Sequence, residues 1–393
     1  MIRCSICLLA LSLLAAPGAP VAAQSDAQAT AAPDLDEAVA MGVARLLEMQ
    51  EGGKGGTEWP YEGVYRVRGT IPIGYRVGGS SIVGMSLLAA PGRADDAARQ
   101  AALESTTRFI VSSVDNPLMG FAEIPGRYDV RGWGYAYGLW YLAELKRADA
   151  VPEALANEVE LASRFFIRGI EATAIPEHGG WNYSRRGGFD QPGRPSPFMT
   201  ASTLHALFVA TEVGFDVNPD IVTGGLDALE AARTATGAYQ YAGSTGERSP
   251  ESVPGSVGRM LAAECTLVLG GRGSVEEVRS AIDAFIVHWE WLEKRRKQTG
   301  THVAPYGIAP YYFYYAHYFA AEAIELLPER ERAEYRRRFR EILFRTRDDD
   351  GTWNDRVFPR SANYGTAMSI LALRMPEHAP YANWVRGEVM PPE

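Results

Sequence analysis

Cysteine is nearly absent: the 393 residues hold three, at positions 4, 7 and 265. Two of them fall within the first ten residues, so the remainder has one thiol and no disulfide framework. Histidine is also scarce. Its six copies (178, 205, 288, 302, 317 and 378) form no His-x-x-x-His and no Cys/His group, so no metal site is expected. An excess of positive charge is missing, the formal net charge being −9, and this argues against a nucleic-acid partner. Long apolar runs are missing except for Ile6–Ala16. No segment alternates polar and apolar residues at strand length. Gly78-Gly79-Ser80-Ser81 is not Gly-x-Ser-x-Gly, and no Gly-rich phosphate loop occurs, so neither a serine nucleophile nor a cofactor is signalled.

The one apolar run is read as an address. Arg3 precedes it, and Val21-Ala22-Ala23 follows before Gln24, which is the pattern of an export signal with a small-residue cleavage point. Residues 1–23 are therefore expected to be a signal peptide directing the chain to the periplasm or exterior. At eleven residues the run is short for a bilayer span. Residues 24–34 are expected to be a flexible linker, 35–374 a single domain, and 375–393 a Pro-containing tail.

What is plentiful is glycine (40) and aromatic residues (14 Phe, 19 Tyr, 8 Trp). They mark a repeat. A Gly-rich loop carrying an aromatic anchor recurs at Trp59, Phe121, Trp181, Tyr239, Tyr306 and Trp353, a period of roughly sixty residues. After each loop comes a helix apolar around its whole circumference: roughly 79–90, 132–147, 198–214, 256–269, 311–326 and 361–374. Before each comes an amphipathic helix: roughly 35–50, 94–113, 152–173, 218–234, 274–298 and 328–346. Asn218-Pro219 and the pair Ser274 and Glu277 supply helix starts. The arginines of 328–346, interleaved with Glu, read as a solvated face. Helices apolar all round must be enclosed, so an all-α, α/α toroid is expected: six buried helices inside six amphipathic ones. An open solenoid of helix pairs is the alternative.

The Gly-x-aromatic loop after an outer helix resembles the prenyltransferase and squalene-oxidase repeat of squalene–hopene cyclases and protein prenyltransferase β subunits. Arg347-Asp348-Asp349-Asp350-Gly351-Thr352-Trp353 is similar to the Gln-x-x-Asp-Gly-Ser-Trp motif of triterpene cyclases. The resemblance covers 35–374 as architecture and implies the toroid. The activities of those families are not implied, because their catalytic signatures are missing. Asp348-Asp349-Asp350 stands in a repeat loop, not at the Asp-x-Asp-Asp position. Gly187-Gly188-Phe189-Asp190 is not followed by the zinc-binding Asp-x-Cys.

In a toroid all six buried helices open their N-termini on one mouth, which favours an anionic guest. The loops there are close to neutral in charge, which weakens a polyanion site. Tyrosines and tryptophans crowd the same loops and helices. Trp133, Trp181, Tyr183, Tyr239, Tyr314 and Trp353 are candidate ligand contacts. Such a surface suits a small molecule, a glycan or a protein segment. The functional expectation is an exported toroid that binds a ligand or partner at its aromatic loop face. The alternative is an enzyme with an acid/base site in a central cavity, a divergent terpene cyclase or a polysaccharide lyase or hydrolase. Asp129, Arg131, Tyr135, Asp190, His205, His317 and Tyr364 are its candidate catalytic residues. Glu264 and Glu322, on buried helices, are candidate cavity-lining carboxylates.

Overall fold

The computed structural model describes residues 34–53, 56–122, 128–185, 188–243, 251–378, 380–385 and 388–390. The expected signal peptide and nearly all of the expected linker lie outside them. Twelve α-helices follow in chain order: α1 (Leu35–Glu48), α2 (Ile73–Ala89), α3 (Ala97–Ser112), α4 (Arg131–Arg147), α5 (Ala156–Thr173), α6 (Pro197–Glu212), α7 (Pro219–Ala232), α8 (Val253–Leu269), α9 (Val275–Glu293), α10 (Tyr312–Glu325), α11 (Glu329–Phe344) and α12 (Ala362–Arg374). None is long and apolar enough to cross a membrane.

The even-numbered helices are buried along nearly their whole length, and the odd-numbered ones along a single stripe. Each inner helix packs against the next, and α12 packs against α2, so the inner ring closes and the solenoid alternative falls. The fold is an α/α toroid. Local chemistry sets the outer helices. Asp34 caps α1 by accepting from the Asp36 amide at 2.9 Å, and Asn218 accepts from the Asp220 amide at 3.0 Å ahead of Pro219. Ser274 Oγ accepts from the Glu277 amide at 3.3 Å, as the box predicts. On α11, Arg337 pairs with Glu334 and Glu341 on the outside of the ring.

The repeated loop is a staple. The indole N–H of Trp59 donates to the Leu46 carbonyl at 2.6 Å, that of Trp181 to Ile170 at 2.8 Å, and that of Trp353 to Leu343 at 3.3 Å. Each tryptophan thereby donates to a carbonyl in the last turn of the preceding outer helix, as a second donor beside Met49, Thr173 or Thr346. The backbone amide of the same residue donates forward, to a hydroxyl on the next inner helix. Trp59 reaches Ser80 at 2.8 Å, Trp181 reaches Thr200 at 3.0 Å, and Trp353 reaches Thr366 at 3.0 Å. Tyr239 reaches Ser256 in the same way at 3.3 Å. The glycines before three anchors adopt positive φ: Gly180 at +68°, Gly237 at +78° and Gly351 at +87°.

Two findings differ from the sequence expectation. α2 begins at Ile73, six residues before the expected start, because Gly74 and Gly78 are helical and not loop. Two short strands also occur, β1 (Asn383–Val385) and β2 (Glu388–Met390), paired antiparallel. They follow a segment that runs across the C-terminal end of the ring, where Tyr381 and Trp384 are buried.

Candidate functional site

At the N-terminal ends of the inner helices lies a pit of about 320 Å³. Its wall is aromatic: Tyr75 from α2, Trp133 from α4, Phe198 from α6, and Tyr61, Tyr183 and Tyr241 from the loops. Trp133 stands at the centre of the packing, 4.9 Å from the Tyr61 ring and 5.5 Å from Tyr75. The hydroxyls of Tyr183 and Tyr241 bond to each other. Tyr311 bonds through its hydroxyl to His302 Nε2 at 3.1 Å, and His302 Nδ1 lies 2.9 Å from the Gly307 carbonyl. Burial pushes the His302 imidazole below its usual range, so it is neutral near pH 7.

One guanidinium, Arg356, lines the pit, and its Nε has no hydrogen-bond partner. Its charge opposes the burial that raises the Tyr61 and Tyr75 hydroxyls. No carboxylate is among the described lining residues. The residue before Arg356 is Asp355, fully buried, with neither carboxylate oxygen hydrogen-bonded. Burial drives its pKa to about 7, against the opposing charge of Arg356, so near neutral pH Asp355 is substantially protonated. Arg356 is one of the arginines the sequence places in the loops before the inner helices, whereas Asp355 was not singled out. Asp355 stands two positions after Trp353 and reads there as part of the repeat loop.

Of the sequence candidates, Trp133 and Tyr183 line the pit. Trp181 and Trp353 are staples, with their indole nitrogens committed to helix carbonyls. Tyr239 donates its hydroxyl to Glu264 at 2.9 Å beside Arg233, and both groups are thereby satisfied within the wall. Tyr314 turns toward Thr346, 3.4 Å away, on the outer side of α10. Tyr364 is buried against Tyr61, with ring centres 5.0 Å apart, beneath the pit and not in its lining.

The catalytic candidates do not converge. Asp129 and Arg131 clamp each other at 2.6 Å, and Arg131 also donates to the Ala122 carbonyl at 2.8 Å, holding the loop before α4. Tyr135 points outward to the Met119 carbonyl at 2.6 Å. Asp190 is exposed. His317 lies between α10 and α9, where its Nε2 accepts from the Trp289 indole at 3.0 Å. Burial lowers its pKa to about 4, which fixes it as a neutral core acceptor. His205 does meet a carboxylate: its Nε2 is 3.0 Å from Glu322. Both are buried, and neither lines the pit. Among the described residues no three His, Cys, Asp or Glu side chains are grouped so as to hold a metal.

No protein-family model and no curated protein matches the sequence. Solved structures do match. An unsaturated glucuronyl hydrolase from Streptococcus agalactiae shares 12% identity over 90% of this chain and 93% of its own, with a TM-score of 0.58. An α-1,6-mannanase of family GH76 from Salegentibacter, solved as an inactive variant with α-1,6-mannotetrose, shares 12% over 87% and 99%, with a TM-score of 0.57. A D-mannose isomerase shares 11% over 87% and 98%, with a TM-score of 0.52. At such identities the likeness is one of fold: these are α/α-toroid proteins.

Proposed function

We propose that the protein binds a saccharide in the aromatic pit at the N-terminal end of its inner ring. The observation that carries this reading is the convergence of Tyr61, Tyr75, Trp133, Tyr183, Phe198 and Tyr241 on one concave surface. Flat rings with edge hydroxyls match the alternating apolar faces and hydroxyl edges of a sugar. Three toroids of similar fold are named for work on sugars, which supports the class of ligand. The terpene-cyclase branch of the resemblance draws no support from the site. Asp350 accepts from the Thr352 amide at 3.0 Å and hydroxyl at 2.7 Å, so the matching motif serves the loop. Export through residues 1–23 is part of the same proposal, since free glycans are met outside the cell.

Tryptophan fluorescence titrated with a panel of mono- and oligosaccharides tests the reading. Saturable quenching by at least one member is expected, weakened roughly tenfold by Trp133→Ala. Failure of the whole panel, or unchanged affinity in that variant, would reject it.

A catalytic reading is favoured by one observation, the protonated Asp355 that precedes Arg356. It supplies a proton donor whose pKa matches neutral operation. Asp355 is not among the described lining residues, so to reach a bound ligand it needs the wall of the pit to rearrange. Turnover of any saccharide that the pit binds, abolished by Asp355→Asn with binding retained, is the expected result under that reading.

A further inference from the structure

We propose that the opposite end of the ring is a second binding site, which takes the ammonium head of a small amphiphilic amine. A cavity of about 520 Å³ lies there, among the C-terminal ends of α2, α4, α6 and α12. Its lining is mixed in chemistry. Met85 and Leu88 of α2 with Leu371 of α12 and Met375 supply the apolar part, and Glu144, Tyr318 and Tyr381 are in the remainder of the lining.

Glu144 is the distinctive group. It belongs to the last two turns of α4 and is only 6% exposed, yet its Oε1 has no hydrogen-bond partner. Its Oε2 lies 3.6 Å from His378 Nε2 and 3.8 Å from Arg147 Nη1. Burial alone would raise its pKa. The approach of His378 and the charge of Arg147, with help from the Tyr381 hydroxyl, outweigh that and hold the carboxyl below its usual range. Glu144 is therefore an anion with one unused acceptor oxygen, and such a group calls for a donor.

The cations of the lining leave Glu144 Oε1 unpaired, because their closest contacts are made elsewhere. Arg147 pairs with Glu212 at 2.9 Å and donates to the Pro380 carbonyl at 2.9 Å. Arg374 pairs with Asp36 at 2.8 Å and with Glu377. The lining carries three carboxylates (Glu144, Glu212 and Glu377) against these two guanidinium groups and the His378 imidazole. The inner helices add the partial negative charge of their C-termini. The Tyr318 ring contributes electron-rich surface of the kind that attracts an alkylammonium, as the Tyr381 ring does for Arg147, whose guanidinium lies 5.2 Å from its centre. An anionic guest would meet Glu144 and be repelled. A neutral alcohol could donate to Glu144 but would lack the charge. An ammonium on a short alkyl body satisfies the carboxylate and covers the apolar part together.

The test is calorimetric titration at pH 7 with n-hexylammonium chloride, n-hexanol and sodium hexanoate, which share one alkyl body. Hexylammonium should saturate a single site, hexanol should bind at least roughly tenfold more weakly, and hexanoate should not bind. Glu144→Gln should bring the ammonium down to the alcohol's affinity. Leu371→Trp, which fills the apolar part and leaves the carboxylate in place, should abolish binding of both. This second variant keeps the test decisive if the first does not fold. Equal affinity for the amine and the alcohol, absence of saturable amine binding, or indifference to Leu371→Trp would each overturn the proposal.

Discussion

His205 Nε2 lies 3.0 Å from Oε2 of Glu322, joining α6 to α10 inside the ring although the two residues are 117 positions apart. The other ring nitrogen, Nδ1, is 3.0 Å from the Ala201 carbonyl, which can only accept. The Thr266 hydroxyl also lies 3.2 Å from Nδ1, so both ring nitrogens are engaged. Removing one member strands the other in the core, at a cost of about 3–5 kcal/mol, whereas replacing both with apolar groups costs much less. Urea unfolding of His205→Leu, Glu322→Leu and the double variant should give a double cost well below the sum of the singles. Additive costs would show the two groups to be uncoupled.

Glycine on the inner helices divides into two kinds. A Cβ at Gly365 would stand 2.3 Å from the Trp353 carbonyl oxygen, and one at Gly79 would stand 2.5 Å from that of Trp59. The residue after each, Thr366 or Ser80, receives the amide of the same tryptophan. At Gly258 the nearest atom would be Ala316 Cβ at 3.4 Å, an ordinary contact. Gly365→Ala should destabilise by about 3 kcal/mol. Gly258→Ala should stabilise by up to about 1 kcal/mol, from helix propensity and a less flexible unfolded chain. Midpoints of chemical denaturation moving in the same direction for both would contradict the division.

Each indole staple holds a carbonyl near the end of an outer helix. Trp59→Phe and Trp181→Phe keep most of the apolar contact and remove one hydrogen bond, so each should cost about 1 kcal/mol. Trp353→Ala also opens a cavity and should cost about 3–5 kcal/mol. Equilibrium unfolding measures all three. Phenylalanine variants as costly as the alanine one would mean that the ring's fit, and not its N–H, is what the loop requires.

Two buried groups titrate in opposite senses. Asp355, raised from 3.8 to about 7, contributes stability that is fully present below pH 3.8 and is lost as pH rises to about 7. His317, lowered from 6.5 to about 4, contributes stability that is present above pH 6.5 and is lost as pH falls to about 4. Between roughly pH 4 and 6.5 the two largely offset each other. Asp355→Asn should therefore make Tm rise with pH across that window relative to the parent, and His317→Gln should make it fall. Thermal melts at pH 4.5, 5.5 and 6.5 decide the matter; three parallel profiles would exclude both assignments.

The ring was legible because its signals are local and periodic. Helices apolar on every side, glycines before an aromatic and capping pairs such as Ser274 and Glu277 all act within a few residues. The start of α2 was not legible: Gly74 and Gly78 carry the composition of a loop, and only the close approach of the Val130 carbonyl and of Trp133 explains them as helix. The pit was half legible. Trp133 and Tyr183 were found because they are dense in aromatic context. Trp181, Tyr239 and Trp353 share that context and turn inward, since a side chain's direction depends on where the next repeat places its acceptors. Asp355 was hidden for another reason. Its burial comes from α10, α12 and the loop of Tyr61, nearly three hundred residues away in the chain.

The contact between α12 and α2 has a kinetic consequence. In an open stack an end pair can fray while the rest persists. In a closed ring each pair is held on both sides, so no pair is the cheap place to begin. Opening must break two seams at once, and the molecule's resistance to proteolysis should follow the slow rate of that event more closely than its equilibrium stability.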